Sequence, residues 1–167
     1  MNSLPHTSPG PRFAAPASLP VLLIRLMVGG VFLSEGIQKF LFPAALGAGR
    51  FAKIGIPSPE VMAPFVASVE IAAGLLVLVG LVTRLAAAAL MLNISVAILS
   101  TKIPILLGHG FWLFSVAKLS QYGFWSAAHE ARVDLCMWLG CAFLLAIGGG
   151  TRSLDERRSA LRKGIDP

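Results

Sequence analysis

The 167-residue chain is 56% hydrophobic and only 13% charged, with a mean hydropathy of +0.77 and a formal net charge of +6. Soluble domains carry about 25% charged residues, so the composition excludes an ordinary water-soluble globule and points to one small helical membrane domain. The positive balance does not indicate nucleic acid, because the cations form no basic stripe: five of the fourteen, Arg152, Arg157, Arg158, Arg162 and Lys163, lie in the last sixteen residues.

Residues 1–18 are rich in Pro, Ser and Ala and read as a flexible N-terminal tail. A cleaved signal peptide would need an uncharged apolar core followed by a small-residue cleavage site. Arg25 interrupts that core, and Ser34-Glu35-Gly36 is a poor site. The first apolar run, 19–42, is long enough to span a bilayer and ends at Pro43. A second span is predicted over 61–81. Ser58-Pro59-Glu60 introduces it as an N-cap with proline at the first helical position, and Pro64 is expected to bend its first turns. Gly80 and Thr83 frame a short turn into a third span, 84–103, which Pro104 is expected to end.

Residues 105–130 hold Phe111, Trp112, Phe114, Tyr122, Phe124 and Trp125 around Lys118, His129 and Glu130. Such aromatic clusters favour the headgroup level. The stretch reads as a loop or short helix lying on the membrane, with a fifth, imperfect span as the rival. A fourth span covers 131–149 and ends in Gly148-Gly149-Gly150. The expected fold class is therefore all-α, an integral membrane four-helix bundle with a short interfacial segment before the last helix. It comprises a tail (1–18), a four-span domain (19–150) and a basic cytoplasmic tail (151–167) that meets anionic headgroups. With both termini inside, seven cations (Arg12, Arg84 and the five of the tail) face the cytoplasm against five outside, which favours that orientation.

The spans carry charges that lipid cannot solvate. An ionisable group at the centre of such a helix costs about 2.5–3.5 kcal/mol on insertion scales. Span one holds Arg25, Glu35 and Lys39; span two holds Glu70; span three holds Asn93; span four holds Asp134. Helix rise puts Glu70 and Asn93 near mid-depth and Glu35 about 7 Å beyond the middle of its span. Lys39 falls about 13 Å from the middle, where its stem can snorkel, and Arg25 about 8 Å off centre on the opposite side. Because the spans alternate, Asp134 shares a leaflet with Glu35 and Lys39. At 100° per residue, Arg25, Gly29, Phe32, Gly36 and Lys39 form one stripe, and Ala67, Glu70, Gly74 and Val77 another. Glu35 and Lys39 are spaced for an i,i+4 ion pair. These six polar residues are the candidate ligand-binding or intramembrane cluster. The bland alternative is that they only hold helices together.

Other chemistries lack their residues. His6, His109 and His129 lie outside the spans, where a bilayer haem would find no axial ligand, and His129-Glu130 lacks the second histidine of a zinc protease. Cys136 and Cys141 are too far apart along one helix for an unstrained disulfide and read as small core residues. No haem or metal is expected, and a bound redox cofactor would have to be held without metal ligands. A quinone or another lipophilic small molecule fits that limit.

Three stretches together carry a family resemblance. They are Arg25 with Gly29, Phe32, Glu35-Gly36 and Lys39; then Glu70, Gly74, Leu78-Val79-Gly80-Leu81 and Thr83-Arg84; and finally Gly148-Gly149-Gly150-Thr151-Arg152-Ser153-Leu154-Asp155. The pattern resembles the DoxX family over about residues 19–155, with glycine where the family's closing stretch usually has a middle proline. The resemblance implies a four-helix protein of the bacterial inner membrane, some of whose relatives are subunits of a thiosulfate:quinone oxidoreductase. The expected function is a redox-associated membrane subunit that binds a quinone or docks an oxidoreductase partner. Glu35 and Glu70 would handle protons or hydrogen bonds, and Arg25 and Lys39 would balance their charge. The alternatives are a small-solute or proton-coupled carrier and a non-catalytic scaffold. The partners expected are the bilayer, an oxidoreductase subunit and a second copy of the chain, with no nucleic acid.

Overall fold

A computed structural model describes residues 18–164. The expected tail over 1–18 lies outside the described residues, except for Ser18, which opens the first helix. Among the described residues the chain is all helical: α1 (Ser18–Leu41), α2 (Ala48–Ile54), α3 (Pro59–Val79), α4 (Thr83–Ala97), a π-helical segment (Ile98–Lys102), α5 (Ile103–Leu107), α6 (Phe124–Ile147) and α7 (Leu154–Lys163). Three stretches, Leu19–Leu41, Pro59–Val79 and Thr83–Leu107, are long and apolar enough to cross a membrane.

The helix ends follow from local chemistry, with three departures from expectation. Pro59 opens α3 as foreseen, but Ser58 sits at φ 48° and makes no side-chain cap bond. Gly80 closes α3 at φ 71°, a left-handed conformation suited to glycine, and turns the chain into α4. Pro104 does not stop the third long helix. In a regular α-helix its ring would clash with the carbonyl four residues back; here the wider π turn over Ile98–Lys102 carries the chain past it to Leu107. The last long helix begins at Phe124, seven residues before the expected start. Polar Ser126, His129 and Glu130 belong to it, because a helix continues beyond the apolar zone when its residues favour helix. The interfacial stretch thus shrinks to the loop 108–123 with its exposed Trp112, and residues 105–130 do not form a separate span.

The helix α1 packs on α3, α3 on α4, α4 on α6, and α6 on α1. Val28, Phe32, Val77, Leu90, Met137 and Leu144 fill the space between them. The tightest approach is between α1 and α3. A Cβ on Gly36 would stand 2.7 Å from the Ala67 carbonyl oxygen, and one on Gly29 would stand 2.8 Å from the Gly74 carbonyl oxygen. Small residues let two backbones meet in lipid, where dispersion rather than the hydrophobic effect drives association. Of the cysteines, Cys141 is buried as expected, but Cys136 is exposed. They stand five positions apart, which places them on different sides of α6.

Candidate functional site

The close α1–α3 seam brings two charges from distant parts of the chain together. Lys39 Nζ lies 2.6 Å from Glu70 Oε2, with their side chains only 12% and 6% exposed. On the other carboxylate oxygen, Asn93 Nδ2 of α4 donates at 2.8 Å. Both oxygens of Glu70 are therefore held, one by a cation and one by an amide, which is the arrangement a buried carboxylate requires. Lys39 also reaches the Glu35 carbonyl at 3.4 Å and the Glu35 carboxylate at 3.7 Å. The Glu35 side chain is 49% exposed, so it forms the outer end of this chain of contacts.

A second ion pair faces the same space. Lys102, in the π segment, lies 3.1 Å from Asp134 Oδ2 of α6. Asp134 stands in the interior of α6, well past its first turn. Lys102 falls at the very end of the predicted third span, among the cations counted outside; the π turn keeps it on a helix wall facing Asp134. Beside it, Thr101 donates its hydroxyl to the Ala97 carbonyl at 2.6 Å.

Between these pairs is a cavity of about 420 Å³. Glu35, Lys39, Glu70, Asn93 and Asp134 all line it, as do Lys102 and Arg50. Five of the six residues singled out in the sequence thus face one space. Much of the remaining wall is apolar and includes Phe32, Phe51, Ile94 and Met137. The short helix α2 closes one side through Phe51 and Ile54, and the Ser115 amide ties the 108–123 loop to the Ile54 carbonyl at 3.0 Å. Met62, Val96 and Val133 line the cavity and are also exposed on the outer apolar surface.

Arg25 is elsewhere. It is 2% exposed and donates to four backbone carbonyls: Val77 at 2.9 Å, Leu78 at 2.6 Å, Gly149 at 3.1 Å and Arg152 at 2.9 Å. These are carbonyls at the C-terminal ends of α3 and α6 and in the turn before α7, where a helix end leaves acceptors short of intrahelical partners; the Val77 carbonyl also accepts from the Gly80 amide at 3.1 Å. Arg25 is thus a structural tie at the opposite end of α1 and does not balance Glu70. Asp155 completes this end. Its carboxylate accepts from the Val82 amide at 2.7 Å, the Thr83 amide at 2.9 Å and the Thr83 hydroxyl at 2.8 Å. Burial alone would raise its pKa; the hydrogen bonds from Thr83 and Val82 and the charge of Arg158 outweigh that and hold the carboxyl below the usual range.

Long apolar helices packed around a charged interior define an integral membrane protein. The chain belongs to the DoxX family, whose model matches residues 20–103, from α1 to the first residue of α5. It is also 51% identical, over 139 residues, to a protein of Mycobacterium tuberculosis (strain ATCC 25618 / H37Rv) described as "Uncharacterized membrane protein Rv3486". That alignment covers 83% of this chain and 81% of the relative. No solved structure matches.

Proposed function

We propose that this protein is a redox-associated subunit of the bacterial inner membrane whose cavity binds a quinone-like lipophilic molecule. The observation that carries the reading is the cavity itself: about 420 Å³, largely apolar, and lined at one side by Lys39, Glu70 and Asn93. Binding sites for small lipophilic ligands combine such an apolar body with a few fixed polar groups. The exposed apolar residues Met62, Val96 and Val133 on its rim suit entry from the lipid rather than from water. A quinone carbonyl would accept a hydrogen bond from Lys39 or Asn93 while its ring packed against Phe32 and Met137.

In this reading α6 is the fourth crossing. Its 24 residues reach about 36 Å at 1.5 Å per residue, more than the hydrocarbon thickness. Both termini lie in the cytoplasm, so the Arg25–Asp155 end faces inward, with α7 on the anionic headgroups, and the cavity lies toward the outer face. An oxidoreductase partner would supply or accept the electrons. The test is titration of the purified protein in nanodiscs with ubiquinone-1, followed by quenching of tryptophan fluorescence. Saturable quenching that weakens at least tenfold in Asn93→Ala and Glu70→Gln supports the reading. Quenching that is absent, or identical in both variants, removes it.

One observation favours a second reading, a proton-coupled carrier. The π turn interrupts the third long helix beside the cavity, and broken helices mark the binding sites of many transporters. Solute uptake by proteoliposomes that depends on Glu70 would favour it over the first.

A further inference from the structure

We infer that the Lys102–Asp134 pair is a second anchor of the ligand cavity, so that the occupant carries an oxygen at each end of one ring, as a para-dione or the corresponding diol does. The inference rests on the quinone reading and deepens it by assigning both oxygens. That reading uses Lys39, Glu70 and Asn93 and leaves a second buried pair without a role. Lys102 Nζ lies 3.1 Å from Asp134 Oδ2, with side chains 14% and 22% exposed, and both residues line the cavity. The lysine ammonium has three N–H groups, so its contact with Asp134 leaves donors for a ligand.

The spacing of the two anchors suits one ring. Asn93 belongs to the first anchor, through its 2.8 Å bond to Glu70, and Lys102 to the second. They stand nine positions apart on one continuous helical wall, about 13–14 Å of rise. Both side chains lean toward the N-terminal end of that wall. The long lysine stem leans further, which brings the polar heads to within about 11–12 Å. A hydrogen bond of about 2.9 Å and a carbonyl bond of about 1.2 Å at each end take up about 8 Å of this. What remains is close to the distance across a six-membered ring. Ala97, four residues after Asn93, faces the cavity between the anchors and fills little of that space.

Each anchor joins a cation to a carboxylate, so each can meet both forms of such a ligand. Lys39, Asn93 and Lys102 can donate to a carbonyl oxygen, and Glu70 and Asp134 can accept from a hydroxyl. The hydroxyls beside Lys102 are already committed: Ser100 and Thr101 both donate to the Ala97 carbonyl, at 3.2 and 2.6 Å. Arg50 stands on α2 and is exposed. The π turn has a purpose in this arrangement. It carries the helix past Pro104 and so keeps Lys102 on the cavity wall, opposite Asp134 of α6.

The experiment is infrared spectroscopy of ubiquinone-1 bound to the protein in nanodiscs, with carbon-13 placed at either carbonyl to mark its band. A hydrogen bond lowers a carbonyl stretch. Two anchors predict that, for the bound fraction, both marked bands lie below their positions in nanodiscs without protein. In Lys102→Met combined with Asp134→Leu, one carbonyl of each bound molecule should return to the free position while the other stays lowered. Removing both members leaves no lone buried charge, so this variant should fold, and the native spectrum tests the two-anchor geometry without any variant. A native spectrum with only one carbonyl lowered per molecule, or a double variant with both still lowered, overturns the second anchor and leaves the quinone reading standing. A native spectrum with neither band lowered overturns the quinone reading and the second anchor with it.

Discussion

Lys39 Nζ lies 2.6 Å from Glu70 Oε2, tying the C-terminal end of α1 to the middle of α3 across thirty-one residues of sequence. Helical side chains lean toward the N-terminus of their own helix. In two antiparallel helices, Lys39 near the end of α1 and Glu70 at the centre of α3 therefore lean toward each other. The long lysine stem closes the remaining depth. This pair sets the polar end of the cavity and is the part of the site most exposed to test.

Removing one member should be costly. Lys39→Met leaves the Glu70 carboxylate buried without its cation, and such a loss costs about 3–5 kcal/mol. A lower thermal unfolding midpoint in detergent is the expected readout. Lys39→Met combined with Glu70→Leu should recover most of that stability, since an apolar pair of similar volume is close to neutral. The double variant should still fail to bind ubiquinone-1.

The helix seam beneath the pair can be tested with glycines. Gly36→Ala places a Cβ 2.7 Å from the Ala67 carbonyl oxygen and 3.1 Å from the Glu70 Cβ. Overpacking of this kind costs about 1–3 kcal/mol and should lengthen the Lys39–Glu70 contact. Gly30→Ala is the control, because its Cβ would meet nothing within 4 Å. Its unfolding midpoint should be no lower than that of the native protein, since alanine favours helix over glycine.

At the other end, Arg25→Lys should not substitute. A lysine has one donor group in place of a planar fork. At least two of the four carbonyls that Arg25 holds would lose their partner, at about 1–3 kcal/mol for each buried acceptor left unsatisfied. Reduced yield of monodisperse protein and a lower midpoint are expected. Ubiquinone-1 affinity of the folded fraction should be unchanged, because Arg25 does not line the cavity.

Asp155 gives that end an acid sensitivity of known sign. Its carboxyl is held below the usual range, so its stabilising effect is complete above the unfolded-state value and is lost as pH falls through the depressed folded value. The protection of the Val82 and Thr83 amides, measured by hydrogen exchange relative to the intrinsic rate at each pH, should fall on acidification through that window. Asp155→Ala should exchange quickly at neutral pH, with a stability loss of about 1 kcal/mol typical of a removed helix cap.

The glycine and charge stripes on α1 and α3 were legible because helical period alone fixes which residues share a face. Phe32, Gly36, Ala67, Glu70 and Gly74 are buried where that period puts them. Pairing across helices was not legible. Depth along a span ranked Lys39 as a snorkelling residue, because rise per residue ignores the lean and length of the side chain. The Lys102–Asp134 pair was not legible, because the π turn that carries the helix past Pro104 leaves no plain mark in sequence. Asp155 and Thr83 meet over seventy-two residues with no periodic signal between them. Arg25 was recognised as a buried charge, but backbone carbonyls, which no residue type announces, neutralise its hydrogen-bonding demand.

The cavity's occupant is the point on which the functional reading turns. Protein purified in native nanodiscs can be extracted and its quinone measured per chain, beside nanodiscs of the same membrane that lack the protein. The cavity predicts quinone approaching one molecule per chain above the bulk lipid level, falling to that level in Glu70→Gln. A quinone content equal to the surrounding lipid in both proteins would contradict it.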